Sequence, residues 1–334
     1  LNKINNLAAP SSASILKIKD LEDPNKIGKE LNVDYVIQGS LMKMANQFRL
    51  SIKMTNVINS NELWSEHWEE NSDNLSQVKN EIIVKILDAL GIEIPDDLKK
   101  QAAKEQAIDP HAYELLMKAK YSYINAASAS DLDIAAALFK QAFDIQPSYI
   151  TARNFYAIIQ FRLKKIDHAI TILEEAENIG KQNKDDIGLA NIYESFGIIY
   201  KQMGKYSKAI NYLKEGLRIT TNNEILSREA NILNTLGQCY TQMSKFEEAS
   251  DYLKRSISIK RQLDRPALEI SNSVANLSDV HKRIGDYAKA ISLREESIEM
   301  AKDSSQVQLG RSITSYAHLL YYIGRTEKAH EQYL

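Results

Sequence analysis

Hydrophobic and polar residues alternate strictly in two stretches near the start of the chain. The apolar positions are Tyr35, Ile37, Gly39 and Leu41 in the first stretch and Phe48, Leu50, Ile52 and Met54 in the second. A period of two predicts β-strands with one buried face. The short Ala45-Asn46 connection predicts a hairpin between them, and Glu62 to Trp68 is predicted to form a third strand.

Helical patterns flank these strands. Asp23-Pro24 provides an N-cap and a first-turn proline for a helix from Asn25 to Leu31. Asp73 to Leu90 is predicted to be an amphipathic helix, with a single apolar stripe formed by Leu75, Val78, Ile82, Ile86 and Leu90. Residues 1–92 are therefore predicted to form a small α+β domain, and residues 93–109 a linker helix rich in charge and alanine.

From about residue 110 the hydrophobic period becomes helical and the sequence repeats itself. Small residues recur at intervals of 34 to 41 residues, at Ala135, Ala169, Ala209, Ala249, Ala290 and Ala329. Twelve positions before the last five of these stands a second small-residue series, namely Ala157, Gly197, Gly237, Ser278 and Ala317. Two series that keep one phase indicate a repeat architecture.

Each repeat has the order helix, tight turn, helix. The turn residues are Gly204, Ser244, Gly285 and Gly324, and large residues follow the alanine series by four positions, at Phe139, Leu173, Leu213, Leu253 and Tyr333. Two antiparallel helices approach closely where a small side chain faces a large one. Since one hairpin cannot bury its apolar stripe alone, successive hairpins are expected to stack into a solenoid over residues 110–334.

The repeats resemble the tetratricopeptide repeat. Leu236-Gly237 to Tyr240, Phe246, Ala249 and Leu253 follow its pattern, and Ala135, Phe139, Ala142 and Pro147 resemble its second helix with the closing proline. The resemblance implies a mainly α fold, a right-handed α-solenoid of about six hairpins. Arg294 departs from the pattern, because a large apolar residue belongs there. Either its aliphatic stem covers the site or the phase slips by one residue.

The same resemblance implies a concave surface lined by the first helix of each repeat. The positions that usually touch a ligand hold a mostly polar set: Asn191, Glu194, Asn231, Asn234, Gln238, Asn272, Asn276, Asp279, Arg311 and His318. An Asn carboxamide donates and accepts, so a row of them can pair with the backbone of a peptide. Lys282, Arg283 and Arg311 would attract an acidic segment. The alternative is that these residues form an ordinary solvated helix face.

The first part of the chain resembles a second family. The stretch from Ile27 to Ser40 and the segment Glu62 to Trp68 are similar to the TolB N-terminal-like domain. In bacterial signalling proteins that domain precedes tetratricopeptide repeats, and a nucleotide cyclase, a kinase or a DNA-binding domain often lies upstream. The chain starts at Leu1, so we expect a fragment of a longer protein, with Leu1 to Leu7 as the remnant of a helix. At least one of Trp64 and Trp68 is expected to place a ring face in the domain core.

Composition narrows the classes of function. Lys plus Arg, 42, nearly equals Asp plus Glu, 44, and a sequence pI of 6.4 does not favour nucleic acid as a partner. No apolar run reaches the roughly 20 residues of a membrane span, and a single cysteine, Cys239, suits a reducing compartment. Cys239 is predicted to be a buried thiol. We expect a cytoplasmic location, with the periplasm as the alternative.

The motifs of catalysis are absent from the sequence. The six histidines include no pair with zinc-helix spacing, and no phosphate loop or nucleophile elbow occurs. We therefore predict no catalytic, cofactor or metal site and interpret the chain as a module that binds a peptide or protein. Two alternatives stay open: the regulatory C-terminal region of a nucleotide cyclase or protein kinase, and a scaffold that forms homo-oligomers.

Overall fold

The computed structural model describes residues 22–44, 47–71, 74–92, 109–223, 225–263, 265–302 and 306–331. Its backbone divides into two compact units, residues 1–159 and residues 160–334. The predicted linker helix lies outside the described residues up to position 108, as do Leu1 to Leu7. The predicted domain limits at 92 and 110 stay predictions.

The N-terminal elements are a helix, three strands and a second helix. Their bounds are α1 (Pro24–Leu31), β1 (Tyr35–Met44), β2 (Gln47–Asn56), β3 (Glu62–Asn71) and α2 (Leu75–Ala89). Asp23 caps α1, since its Oδ1 accepts a hydrogen bond from the amide of Asn25 over 2.9 Å. The strands form an antiparallel sheet of order β1-β2-β3, with Leu41 opposite Leu50. The predicted strands and helices of this part are confirmed, but the predicted buried face of β1 is wrong: Tyr35, Ile37 and Leu41 are exposed, and the residue buried on this strand is Val36.

One face of the sheet packs against α2. Phe48, Trp68 and Val78 are buried together, with Trp64 and Ile82 partly buried against them. The two tryptophan rings meet edge to face, with centroids 5.9 Å apart. The prediction that at least one tryptophan belongs to the core is confirmed by Trp68.

Twelve further helices follow in the described part of the chain. Their bounds are α3 (Pro110–Ile124), α4 (Ala129–Ile145), α5 (Ile150–Arg162), α6 (Ile166–Gln182), α7 (Asp186–Gln202), α8 (Tyr206–Asn222), α9 (Leu226–Gln242), α10 (Phe246–Gln262), α11 (Ala267–Arg283), α12 (Tyr287–Ala301), α13 (Gln306–Tyr322) and α14 (Thr326–Glu331). Contacts within helix hairpins join α3 to α4, α7 to α8, α9 to α10, α11 to α12 and α13 to α14. From α6 onward each helix contacts the next, and α9 also contacts α7 and α11. Stacking of neighbours is the packing of a solenoid.

The small-residue series lies at the contacts between helices. Ala135, Ala169, Ala209 and Ala249 have no solvent exposure. A β-carbon added to Gly197 would lie 2.4 Å from Leu213, which is far inside van der Waals contact. The predicted match of small and large residues is therefore confirmed.

The turns within the hairpins need a left-handed residue. Gly204, Gly285 and Gly324 have φ values of 73°, 84° and 81°, and Ser244 has a φ of 58°. Glycine adopts this conformation without a steric penalty, and it is the usual residue just past a helix end. The predicted turn positions are confirmed.

Arg294 keeps the phase of the repeats. It lies four residues after the fully buried Ala290 and is itself only 6% exposed. Its Nη2 donates to Asp279 Oδ1 over 2.6 Å and to the carbonyl oxygen of Ala275 over 3.3 Å. The phase therefore does not slip, and a paired guanidinium occupies the place that Leu213 and Leu253 hold in earlier repeats.

Candidate functional site

The first helices of three successive hairpins present equivalent positions. Helices α7, α9 and α11 each have 17 residues, and the sixth residue of each is an asparagine: Asn191, Asn231 and Asn272. Asn191 and Asn231 are half-buried and Asn272 is exposed. Because the three helices are neighbours in the stack, these asparagines occupy corresponding places along it.

Two of the predicted residues contact each other across helices. Asn276 Nδ2 on α11 donates to Asn234 Oδ1 on α9 over 3.0 Å. This bond uses one donor hydrogen of Asn276 and one lone pair of Asn234, so both carboxamides retain further capacity to donate and accept. The asparagines are thus oriented by each other.

Glu194 is held by an ion pair. Its Oε2 lies 2.5 Å from Nη1 of Arg228, and the residue is 8% exposed. The pair joins α7 to α9, so the carboxylate that was predicted to face a ligand also stabilises the stacking of these helices.

The last turns of α7, α9 and α11 surround an open depression of about 460 Å³. We call it the basic pocket; it is lined by Lys201, Tyr206, Gln238, Thr241, Gln242, Asn276, Asp279, Lys282 and Arg283. Three of the predicted residues, Gln238, Asn276 and Asp279, therefore share one site. Lys201, Thr241 and Lys282 are each the sixteenth residue of their helix, so the pocket follows from the repeat itself.

Polar contacts fix the side chains of the basic pocket. Lys201 Nζ donates to Gln238 Oε1. Arg283 Nη2 donates to Gln242 Oε1 over 3.1 Å. Burial lowers the pKa of Lys201 from its ordinary value of 10.5, because desolvation disfavours the ammonium ion.

The remaining predicted residues lie on α13. His318 is exposed there, and the side chain of Arg311 lies outside the described residues. Sequence reasoning singled out Lys282 and Arg283 at the end of α11 but missed Lys201, Thr241 and Gln242, because it did not consider the last turns of α7 and α9. The signal was present in the sequence, since Lys201 and Lys282 stand at the same helix position.

Cys239 is fully buried, and burial raises the pKa of its thiol to about 11, which suppresses the nucleophilic thiolate. No group of three or more metal-ligating residues occurs among the described positions. In the same residues no helix is long and apolar enough to cross a membrane.

Three segments match models of the tetratricopeptide repeat, namely residues 148–222, 230–263 and 273–308. The matched segments are tetratricopeptide repeats. They contain α7, α8 and α10, most of α9 and α11, and all lining residues of the basic pocket.

Solved structures share the repeat fold at low sequence identity. A Rap protein complexed with Competence and Sporulation Factor has a TM-score of 0.56 and 19% identity, covering 78% of this chain and 70% of that chain. PilW, a type IV pilus biogenesis factor, has a TM-score of 0.53 and 18% identity, covering 66% and 90%. BtubC from P. vanneervenii has a TM-score of 0.52 and 17% identity, covering 66% and 87%. These likenesses support the fold alone.

One curated relative comes from Rhizobium meliloti (strain 1021) and is named "Putative adenylate cyclase 3". It is 25% identical over 137 residues, which make up 41% of this chain. The matched region spans only 23% of that relative's length.

Proposed function

We propose that the tetratricopeptide repeats bind an extended segment of another polypeptide along the face formed by α7, α9, α11 and α13. The asparagines at equivalent helix positions support this proposal, because asparagine has only a mediocre helix propensity. Its repetition at the sixth position therefore indicates a role other than helix formation. A carboxamide pairs with a peptide backbone whatever the side chains of that peptide are.

The observation that carries the proposal is the Asn276 to Asn234 hydrogen bond. A solvated polar face does not require its amides to be oriented by one another. Here the bond holds two carboxamides in a fixed arrangement at the edge of the basic pocket, which lowers the entropy lost when a peptide binds.

The test is binding of a library of random octapeptides, acetylated and amidated at their ends, to the purified chain. We expect the wild type to retain peptides and the double variant Asn231→Ala/Asn234→Ala to bind resynthesised peptides about tenfold more weakly, since two amide contacts are lost. The control is Asn178→Ala/Asn211→Ala, which removes two exposed asparagines from the second helices α6 and α8. Equal affinities of the double variant and the wild type would show that this face is not the peptide site.

The alternative is that the chain is the regulatory C-terminal region of a nucleotide cyclase. The relative from Rhizobium meliloti favours this alternative, and so does the resemblance of the first 92 residues to the TolB N-terminal-like domain, which stays a prediction. In this case peptide binding would change the output of a catalytic domain upstream of Leu1. The sequence of the parent gene would show whether a cyclase domain lies upstream. Cyclic nucleotide production of the full protein, measured with and without a retained peptide, then decides whether peptide binding regulates that domain.

Self-association is a further use of the repeats. The stack exposes Tyr321 and Tyr322 on α13, at 69% and 62% of their full exposure. A second copy that packed against these tyrosines would cover them. Light scattering of the wild type and of Tyr321→Lys tests this: a dimer that the substitution dissociates supports it, and a monomer in both contradicts it.

A further inference from the structure

The basic pocket has an unbalanced charge. Lys201, Lys282 and Arg283 line it, and Asp279 is the one carboxylate among its described lining residues. Asp279 already pairs with Arg294, at 2.6 Å. Among the ion pairs of the described residues, none involves Lys201, Lys282 or Arg283, so three cations converge without a counter-charge.

The contacts that these cations do make are neutral. Lys201 donates to the amide oxygen of Gln238, and Arg283 donates to that of Gln242. The Lys282 ammonium lies 4.7 Å from the centroid of the Tyr322 ring. Neutral partners orient a cation but leave its charge in place, and each cation retains further hydrogen-bond donors.

Cations in the last turn of a helix also complement the helix dipole. An interaction with the helix dipole requires neither that the cation is buried nor that several cations lie together. Lys201 is half-buried and desolvation lowers its pKa, so its charged form has an energetic penalty in the free protein. An anion placed beside Nζ would relieve that penalty, because opposite charge favours the ammonium ion.

We propose that the basic pocket binds the side-chain carboxylate of an aspartate or glutamate residue in the peptide that occupies this face. The inference rests on the proposed function and adds the chemical class of the ligand. The volume of the pocket, about 460 Å³, lies within the roughly 300–1,000 Å³ of small-ligand sites, so an acidic side chain fits with space for its neighbours.

Arg294 has a positioning role in this site. Because it replaces the leucine of earlier repeats, its guanidinium neutralises Asp279 from the protein side, where Arg294 is 6% exposed. Without Arg294 the unpaired Asp279 carboxylate would repel an incoming acidic side chain. The departure from the repeat pattern thus prepares the pocket for an anion.

The experiment uses the library of end-capped octapeptides, with phosphoserine included among the random residues. End capping removes the terminal carboxylate, so any anion comes from a side chain. We expect peptides retained by the wild type to be enriched in aspartate or glutamate. Changing that acidic residue to its amide in a resynthesised peptide should weaken binding about tenfold, the value expected for a charge-assisted hydrogen bond.

Variants locate the preference in the pocket. Lys201→Gln should bind the acidic and the amide peptide equally, while Lys254→Gln, an exposed lysine of the second helix α10, should keep the tenfold preference. Arg294→Leu should lose much of the preference, and Arg294→Leu/Asp279→Asn should regain it. Circular dichroism checks that each variant is folded.

The outcomes separate this inference from the proposed function. Retained peptides without acidic enrichment would overturn the inference and leave peptide binding in place. Enrichment in phosphoserine instead, or an acidic preference that survives in Lys201→Gln, would also overturn it. No retained peptide at all would remove the proposed function and the inference together.

Discussion

A β-carbon added to Gly237 would lie 2.5 Å from Leu253 Cγ, closer than non-bonded carbon atoms approach in proteins. Gly237 therefore allows α9 and α10 to pack directly against each other. The same relationship recurs between Gly197 and Leu213 one repeat earlier. Close helix packing at a glycine is thus a property of the repeat.

Substitution of Gly237 should destabilise the repeats in spite of a better helix propensity. Gly237→Leu is expected to lower the free energy of unfolding by about 1–3 kcal/mol, because the new side chain overpacks the contact with Leu253. Urea unfolding followed by circular dichroism measures the change.

The matched control is Gly310→Ala on α13. A β-carbon there meets no atom within 4 Å, and the residue is exposed. Alanine should therefore raise stability by about 0.5–1 kcal/mol, the usual difference from glycine inside a helix. A Gly237→Leu variant as stable as the wild type would contradict the packing argument.

The repeat fold could be predicted from the sequence because its signals are local and periodic. Ala209 and Ala249 keep one phase, and both are fully buried; Gly204 and Gly285 mark turns, and both have a positive φ. Each of these positions depends only on neighbours within its own hairpin, which the sequence spacing specifies.

The basic pocket could not be predicted in the same way. Lys201 and Gln238 are 37 residues apart, and their contact depends on how the last turns of α7 and α9 approach. The spacing of the repeats predicts an apolar residue at position 294. It does not indicate that Asp279 pairs with Arg294. Side-chain pairing between stacked hairpins is a tertiary property, so the asparagine positions were predicted and the charge balance was not.

Glu114 should have an unusually acidic carboxyl group. Hydrogen bonds from Lys118 and from Lys43 lower its pKa from 4.5 to about 2. Because the folded-state pKa is the lower one, this group stabilises the fold above pH 4.5, and the contribution is lost as the pH falls toward 2. Carbon-13 NMR of the carboxyl group measures the pKa directly.

The partners of Glu114 can be separated by substitution. Lys118→Gln and Lys43→Gln should each raise the pKa of Glu114 toward 4.5, and the double variant should raise it furthest. Lys140→Gln, at an exposed lysine paired with Asp144 in α4, should have no effect on Glu114. If Lys43→Gln left the pKa of Glu114 unchanged, Lys43 on β1 would not contact Glu114 on α3.

Cys239 should react slowly in the folded protein. Its thiol is fully buried and its pKa is raised from 9.0 to about 11, so ionisation alone should slow alkylation roughly 100-fold near neutral pH. Iodoacetamide labelling followed by mass spectrometry checks the rate, with and without urea. The exposed Asn178→Cys serves as the accessible thiol in the same molecule. Equal rates at the two cysteines in the folded protein would show that Cys239 is accessible.

Lys260 should make the stability of the repeats depend on alkaline pH. It is 5% exposed, and its Nζ donates to the carbonyl oxygen of Glu269 over 3.2 Å and to Ser273 Oγ over 3.0 Å. Burial lowers its pKa below 10.5, while the carboxylate of Glu269 opposes that shift. The folded state therefore loses this proton at a lower pH than the unfolded chain does.

The sign of the effect follows from that order. Below the folded-state pKa of Lys260, the folded and the unfolded protein both hold the proton, and the buried ammonium ion destabilises the fold. As the pH rises from that pKa to 10.5, the folded protein loses the proton first, and this destabilisation is relieved. Lys260→Met removes the titrating group and retains most of the volume. Its free energy of unfolding, minus that of the wild type, should be largest near neutral pH and should shrink as the pH approaches 10.5.

Ionisation of the tyrosines also affects stability at alkaline pH. Because the tyrosines are the same in Lys260→Met and in the wild type, their contribution cancels in the difference between the two free energies of unfolding. Lys254→Met is the matched control for the loss of a lysine, since Lys254 is exposed on the same helix. Urea unfolding at several values between about pH 7 and pH 10 provides both curves. A Lys260→Met difference that is constant over this range would mean that Lys260 reaches solvent and keeps an ordinary pKa.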